Sequence, residues 1–305
     1  MIPINPQLPT PILVTGASGF VGEKLVARLC AINTAQIIGT YFTRSVEVPG
    51  CSLIPVDLRD SKAVNRLYRD LKPALTIHCA GITDSGFCER EPESAYAGIV
   101  VIAENLISAR NSFTPEAPII SLSTDMVFNG AQGNYDESAQ ANPISVYGRC
   151  KLQADEFFLA ETNTTIIRPA LIYGEPSTHH GSFLGWMIQA LAEGKPLQLF
   201  ADEQRTPLYV HDLIDLILSV ASTPHSEKLY HAGGSTSLSR VQMGETLCRV
   251  FGFSDELLES KNLKQAGLDK LRPADVSLNS ALAQQTFRFH PKSFDAGIRL
   301  IEQNL

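Results

Sequence analysis

This 305-residue chain has few cysteines and no cysteine motif. The six cysteines are scattered, with no C-x-x-C pair and no clustered histidines beside them. The spacing therefore indicates neither a zinc site nor a disulfide framework. Reduced thiols in a cytosolic protein are the expectation.

Dense positive charge and long apolar runs are also missing. Lys and Arg number 25 against 32 Asp and Glu, so the net charge is −7, which argues against binding to nucleic acid or an anionic membrane. No apolar run approaches the roughly 20 residues that a membrane-spanning helix needs. Residues 1–11 contain four prolines and no basic segment followed by an apolar core. We expect a loose tail there and no signal peptide.

What is present is typical of a globular protein. Hydrophobic residues make up 44% and charged residues 19% of the chain, which excludes global disorder and a collagen-like fold. At about 150 residues per domain, the length predicts two lobes. A chain of this length buries about 75% of its unfolded surface and needs no disulfide or structural metal.

Short apolar runs alternate with helical patterns through the first 170 residues. This alternation predicts a Rossmann-type α/β fold, a doubly wound parallel sheet with helices on both faces, followed by a smaller C-terminal α/β lobe. The predicted strands are 12–15, 36–42, 53–56, 75–79, 118–122 and 165–168, and the predicted helices include 23–30, 60–71, 95–110 and 145–160. Asp212 is expected to be a helix N-cap, and His179 and His180 are assigned to a surface loop.

A glycine-rich turn joins the first strand to the first helix. Gly16 can make the tight turn, Gly19 lets the backbone approach a pyrophosphate, and Gly22 lets the helix pack against the sheet. The helix N-terminus then offers free N–H groups to the phosphate. The pattern predicts a dinucleotide site that also includes Ser18, Phe20 and Val21; a tight turn without a ligand is the alternative.

The end of the second strand bears on which dinucleotide binds. Tyr41-Phe42-Thr43-Arg44 has no acid that could accept from a ribose 2′-hydroxyl, whereas Arg44 could pair with a 2′-phosphate. NADP(H) is therefore favoured over NAD(H), with Arg44 as an ordinary surface residue the alternative.

A phenol and an ammonium lie four residues apart on one predicted helix, at Tyr147 and Lys151. The preceding strand ends at Ser123-Thr124-Asp125, on the sheet edge where ligands bind in such folds. A nearby ammonium lowers the pKa of a phenol, and a phenolic acid suits carbonyl reduction.

With these residues the chain resembles the extended short-chain dehydrogenase/reductases, and most closely the dTDP-4-dehydrorhamnose reductase group. The resemblance covers most of the chain. Its landmarks are the glycine turn, Asp57-Leu58, Ala80-Gly81-Ile82-Thr83, Ser123 to Phe128, Tyr147 with Lys151, Arg168-Pro169, Thr206-Pro207 and Arg272-Pro273.

The resemblance implies a role for each matching residue. Tyr147 would protonate the substrate carbonyl oxygen, Lys151 would hold the nicotinamide ribose, and Thr124 would hydrogen-bond the same oxygen. Asp57 and Leu58 would flank the adenine, and Ala80, Gly81 and Thr83 would line the path to the nicotinamide. The implied substrate contacts are Thr83, Thr124, Asp125, Leu171, Arg205 and Arg272. An NADP(H)-binding domain over 1–172, with about 206–232 returning to it, and a substrate lobe over 173–305 are expected.

Three positions depart from the family pattern. Met126 follows Asp125 where dehydratases of this fold have a glutamate, and it cannot transfer a proton, so dehydration is disfavoured. The reductases usually have Tyr at that position and Trp at the position of Leu171. Ile99 lies where the family usually has an Asn that supports a proton relay to the lysine.

The sequence thus predicts a cytoplasmic NADPH-dependent reductase of a 4-keto-6-deoxy sugar nucleotide. Two alternatives stay open. One is an epimerase of the same family that recycles its cofactor. The other is a non-catalytic NADP-binding subunit, since Cys88-Glu89-Arg90-Glu91-Pro92 resembles a stretch of the methionine adenosyltransferase β subunit. The metal requirement, including Mg²⁺ at an interface, and a homodimer are left open.

Overall fold

The computed structural model describes residues 8–32, 36–175 and 182–304. Most of the expected N-terminal tail, and the predicted loop at His179 and His180, lie outside the described residues. No helix in the described ranges combines the length and the apolar character that crossing a bilayer requires.

A seven-stranded sheet is the centre of the fold, and it confirms the predicted class. Its strands, in sheet order, are β11 (Leu229–Ala232), β6 (Thr164–Pro169), β5 (Ile119–Leu122), β4 (Leu75–His78), β1 (Ile12–Thr15), β2 (Ile37–Tyr41) and β3 (Ser52–Pro55). The pairs from β3 through to β6 are parallel. Chain order reverses between β1 and β4, which is the switch point where ligands bind in doubly wound sheets.

The central strands are buried along their whole length, as expected for a parallel sheet covered on both faces. The helices of this part of the chain are α1 (Phe20–Ile32), α2 (Ser61–Leu71), α3 (Ser85–Arg90), α4 (Pro92–Tyr96), α5 (Ile102–Phe113) and α6 (Val146–Ala160). Asp60 caps α2, because its side chain accepts from the Lys62 N–H. Leu13, Leu67 and Leu106 share one buried cluster.

The single helix predicted over 95–110 is interrupted. A π-helical turn at Ala97–Val101 separates α4 from α5. Gly98 lies in this turn, and a Cβ there would come within 2.6 Å of the Ile82 side chain. The missing side chain therefore allows a close approach at the interruption, and such π turns often occur near functional sites.

The chain divides into two compact units. The first comprises 1–123, 146–167 and 214–230; the second comprises 124–145, 168–213 and 231–305. The second unit thus takes in residues 124–145, which precede the boundary expected from the sequence.

The remaining elements include three short strand pairs and five helices. Strands β7 (Ile172–Tyr173) and β10 (Leu208–Tyr209) are parallel, as are β8 (Leu197–Phe200) and β13 (Leu258–Lys261), whereas β9 (Gln204–Arg205) and β12 (Leu238–Ser239) are antiparallel. The helices are α7 (Phe183–Ala192), α8 (Val210–Ser222), α9 (Arg240–Phe251), α10 (Ala281–Phe287) and α11 (Phe294–Gln303). Tyr173, Leu247 and Ile298 belong to one buried core of the second unit.

The prediction that Asp212 is an N-cap is wrong. Helix α8 begins at Val210, directly after β10, so Asp212 lies inside its first turn. The Asp212 carboxylate instead accepts from the backbone N–H of Lys292 at 2.7 Å and from its Nζ at 2.5 Å. Its role is a tertiary ion pair.

Candidate cofactor and catalytic sites

Two glycines of the glycine turn lie in close contacts that leave no room for a side chain. Gly16 follows β1 with a φ of +68°, and a Cβ there would lie 2.7 Å from the Ala80 backbone. A Cβ on Gly22 would lie 2.1 Å from the Gly16 carbonyl oxygen. Any side chain at these two positions would force the turn, the neighbouring strand or α1 to move. The turn therefore leads the chain tightly into the N-terminus of α1.

A pocket of about 310 Å³ adjoins this turn at the switch point of the sheet. It is lined by the predicted cofactor residues Gly16, Ser18, Gly19, Asp57, Leu58, Ala80 and Gly81, together with Thr40, Tyr41, Phe42, Val56, Arg59, Cys79, Ile82, Gly98 and Ile102. Of the other predicted cofactor residues, Phe20, Val21 and Gly22 are in α1, and Arg44 and Thr83 are exposed outside the pocket lining.

Nine of the lining residues were not assigned to the site by the sequence analysis, and Arg59 and Phe42 are the pair among them with a specific contact. The Arg59 guanidinium donates to both Asp57 carboxylate oxygens at 2.8 Å and lies 4.6 Å from the centre of the Phe42 ring. The hydrogen bonds from Arg59 lower the pKa of Asp57. The position of Arg59, two residues after Asp57 in the turn that follows β3, was an available signal. Its stacking on Phe42 was not, because those residues are far apart in the sequence.

Side chains behind the pocket fix its walls. Asn105 donates to the carbonyl oxygens of Leu58 and Arg59 at 2.9 and 3.0 Å, which holds the turn that carries Asp57. Thr15 Oγ1 lies 2.7 Å from Nδ1 of the buried His78. Burial lowers the pKa of His78 to about 3, so this ring is neutral at ordinary pH.

Helix α6 carries Tyr147 and Lys151. A hydrogen bond from the Val146 N–H to the Glu89 carboxylate, at 2.6 Å, fixes the start of the helix. Tyr147 lies one residue later and is buried. Glu89 belongs to the Cys-Glu-Arg-Glu-Pro stretch noted in the sequence, so at least one residue of that stretch helps to position α6.

The Lys151 ammonium is held in place and adjoins the pocket. The side chain is 8% exposed, and Nζ donates to the Leu122 carbonyl oxygen at 3.0 Å. A Cβ on Gly81 would lie only 3.6 Å from this Nζ, so the ammonium lies beside a pocket-lining backbone. Burial lowers the pKa of Lys151, an effect that the Asp155 carboxylate opposes. Asp155 is itself held by the Ser123 hydroxyl at 2.8 Å.

Ile99 lies in the π-helical turn and is 3% exposed. Its side chain carries no polar atom, so it can neither hydrogen-bond a water nor relay a proton. Ile99 therefore cannot take the part in a proton relay that the resemblance implies for an Asn at this position.

Thr124 and Asp125 belong to the second unit, in a buried polar cluster. Thr124 caps a 3₁₀ turn (Asp125–Val127) by accepting from the Met126 N–H at 3.2 Å, and it donates to Asp125 Oδ1 at 3.2 Å. Asp125 Oδ2 lies 4.0 Å from Nε of Arg205.

The predicted substrate arginines surround a buried acid, Glu203. Its Oε1 lies 2.9 Å from Arg240 and 3.1 Å from both Arg205 and Arg272. Burial alone would raise the pKa of Glu203, but the three guanidinium groups outweigh it and hold the pKa at about 2. Arg205 is 3% exposed and also donates to three backbone carbonyl oxygens, so little of it is left for a ligand. Arg272, at 41%, is the accessible member.

Leu171, the remaining predicted substrate residue, packs against the buried core of the second unit. Among residues 8–32, 36–175 and 182–304, no group of three or more His, Cys, Asp or Glu side chains could hold a metal ion.

Comparison with known proteins places these features in context. Residues 10–305 match the family described as the RmlD substrate binding domain. A probable low-salt glycan biosynthesis reductase, Agl14 of Haloferax volcanii, is 30% identical over 85% of this chain and 86% of its own length. Methionine adenosyltransferase 2 subunit beta of Xenopus tropicalis is 26% identical over 94% of this chain and 85% of its own.

The fold also matches a solved structure. The crystal structure of dTDP-4-dehydrorhamnose reductase from Bacillus anthracis in complex with NADP superimposes with a TM-score of 0.82. The match covers 96% of this chain and 99% of the other at 21% identity, which is evidence for the shared fold.

Proposed function

Because this chain belongs to the RmlD substrate binding domain family, we propose that it is an NADPH-dependent reductase of a 4-keto-6-deoxy sugar nucleotide. The observation that carries the proposal is the buried Lys151 ammonium, fixed on Leu122 and adjoining the backbone of a pocket that contains the glycine turn. The reductase among the relatives supports the reaction class.

The pocket residues fit a nicotinamide dinucleotide. Gly16 and Gly22 leave no room for side chains, so the backbone at the start of α1 can approach a pyrophosphate. Asp57 and Leu58 would hold the adenine end, and Ala80 and Gly81 the path towards the nicotinamide. When bound, the dihydronicotinamide supplies the hydride.

In the proposed reaction Tyr147 protonates the substrate carbonyl oxygen, and Lys151 holds the nicotinamide ribose. Thr124 donates a hydrogen bond to the same oxygen. Met126 has no proton to transfer, which favours reduction over dehydration. Arg272, accessible and positively charged, is the better candidate of the two predicted arginines for the substrate diphosphate.

NADP(H) preference is proposed on two grounds. The first five residues after β2, 42–46, contain no carboxylate that could accept from a ribose 2′-hydroxyl. Arg59 lines the pocket, and Arg44 follows β2 in the sequence but lies outside the lining; either guanidinium group could pair with a 2′-phosphate. The cytoplasmic location and a homodimer stay predictions.

The test is NADPH consumption with a dTDP-4-keto-6-deoxy sugar, comparing wild type with Tyr147→Phe. We expect the variant to lose about 10²- to 10⁴-fold in kcat, the usual contribution of a general acid. Tyr96→Phe, which alters an exposed tyrosine, is the matched control and should retain activity. Equal turnover by wild type and Tyr147→Phe would contradict the assignment.

A second candidate is a non-catalytic NADP-binding subunit. The buried Ile99 and the similarity to the methionine adenosyltransferase β subunit favour it. It predicts NADPH binding by calorimetry, no turnover of any 4-keto sugar nucleotide, and a stable complex with a methionine adenosyltransferase catalytic subunit in size-exclusion chromatography. NADPH turnover that depends on Tyr147 would exclude it.

A further inference from the structure

The single proton of the Thr124 hydroxyl is already used in a hydrogen bond to Asp125. A hydroxyl offers one donor and two acceptor positions. Thr124 Oγ1 accepts from the Met126 N–H and donates to Asp125 Oδ1, each at 3.2 Å. In this arrangement Thr124 can accept a hydrogen bond from a ligand, but it has no proton to donate to a carbonyl oxygen.

Asp125, the partner of that hydroxyl, is a buried acid whose second carboxylate oxygen lacks a hydrogen bond within the described residues. The residue is 5% exposed, and within the described part of the chain its Oδ2 has no hydrogen-bond partner. The Nε atom of Arg205 is 4.0 Å away, too far for a hydrogen bond. Glu203 and Arg240 are the other charged groups that act on it.

These surroundings make both protonation states of Asp125 accessible. Burial raises the pKa of Asp125 to about 6, against the opposing effects of the Arg205 guanidinium, the Thr124 hydrogen bond and the Arg240 charge; Glu203 adds to the rise. A neutral carboxyl can donate a hydrogen bond, whereas the carboxylate can only accept.

We propose that Asp125 is a positioning residue that sets the direction of the Thr124 hydrogen bond, and this inference rests on the proposed reductase function. Neutral Asp125 donates to Thr124 Oγ1. The two acceptor positions of the hydroxyl are then filled by Asp125 and Met126, and its proton is free for the substrate carbonyl oxygen. Ionised Asp125 instead accepts the hydrogen bond from Thr124, so that proton is no longer free for the substrate.

The two states suit opposite directions of the reaction. Reduction adds a hydride and a proton to a ketone and gives an alcohol, so a Thr124 that donates stabilises the oxygen on which negative charge develops. A Thr124 that accepts suits the hydroxyl of the alcohol. Neutral Asp125 therefore favours ketone reduction, and ionised Asp125 favours binding of the alcohol.

The first test needs no enzyme activity. Carbon-13 NMR of side-chain-labelled aspartate follows the titration of Asp125, whose signal is identified by its loss in Asp125→Asn. Thr124 hydrogen-bonds both forms of Asp125, but the bond to the charged carboxylate is the stronger one. Removing the hydroxyl in Thr124→Val should therefore raise the apparent pKa of Asp125 by about half a unit to one unit. An unchanged pKa would overturn the coupling.

The second test compares rates of ketone reduction with NADPH in wild type, Thr124→Val and Asp125→Asn from pH 5 to 8. All variants catalyse the same proton-consuming reaction, so its thermodynamic pH dependence cancels in the ratio of rates. We expect the advantage of wild type over Thr124→Val to be about 10²-fold or more at pH 5, the usual loss for one such donor, and to shrink above pH 6. The amide of Asp125→Asn donates at every pH. The ratio of its rate to that of Thr124→Val should therefore not change with pH.

Asp269→Asn, an exposed acid of the same unit, is the control and should reproduce the wild-type profile. A wild-type advantage that stays constant across the pH range would refute the role of Asp125 while leaving the reductase function intact. An absence of NADPH-dependent reduction at every pH would refute the proposed function instead, and the NMR titration would still decide whether Asp125 and Thr124 are coupled.

Discussion

Replacing Gly19 with alanine separates the cofactor role of the glycine turn from its packing role. An ideal Cβ on Gly19 meets one atom, the Gly16 carbonyl oxygen at 3.2 Å, and the Gly19 backbone is not in the left-handed region. The contact can be relieved by a shift of a few tenths of an ångström, so we expect the free energy of unfolding to fall by no more than about 1 kcal/mol. A Cβ on Gly22, at 2.1 Å from the same oxygen, should cost about 3 kcal/mol.

In contrast to its small effect on stability, Gly19→Ala should lower the affinity for NADPH strongly. Gly19 lines the pocket, and the methyl group that alanine adds there would keep a pyrophosphate away from the N–H groups that begin α1. Losing part of that charge-assisted contact costs about 2 kcal/mol, or about 30-fold in Kd. Titration calorimetry with NADPH and urea unfolding of the unliganded protein measure the two quantities separately.

Gly86→Ala is the matched control for Gly19→Ala. A Cβ on Gly86 meets its nearest atom at 3.3 Å, almost the same crowding, but Gly86 lies in α3 and outside the pocket lining. We expect its NADPH affinity to equal that of wild type. If folded Gly19→Ala also binds NADPH as wild type does, the turn is not the pyrophosphate site and the cofactor assignment is refuted.

Three further predictions concern the walls of the same pocket. Asn105→Ala frees the turn at Leu58 and should weaken NADPH binding about 5- to 10-fold by calorimetry; unchanged affinity would show that the turn is held by other contacts. Arg59→Ala should lower the preference for NADPH over NADH more than Arg44→Ala does, and the reverse order would assign the 2′-phosphate to Arg44. The folded-state pKa of His78, about 3, lies below the unfolded value of about 6.5, so its contribution to stability is present above pH 6.5 and lost as the pH falls towards 3. Between pH 7 and pH 5 that loss is about 2 kcal/mol, and urea unfolding of His78→Gln should lack it; an equal loss in both proteins would contradict the assignment.

The sheet and the position of the glycine turn could be predicted from local sequence patterns. The strands and helices follow from apolar periodicity, and a parallel sheet covered on both faces has few alternatives to the doubly wound order. Glycines between a strand and a helix indicate a backbone that passes close to another group, and Gly16 beside Ala80 has that geometry. The spacing of Tyr147 and Lys151 likewise places both on one helix, because residues four apart share a face.

Hydrogen bonds and ion pairs between residues that are distant in the chain could not be predicted, because they depend on how the chain folds. Arg59 stacks on Phe42, Lys151 donates to Leu122, and Arg205 is enclosed by Glu203 and backbone carbonyl groups. Burial and pKa depend on the whole environment of a group, which no local pattern encodes. The sequence could therefore nominate Arg205 as a substrate contact and Asp212 as a cap. In the folded protein Arg205 pairs with the buried Glu203 carboxylate, and Asp212 pairs with Lys292, because a charge removed from water must be paired.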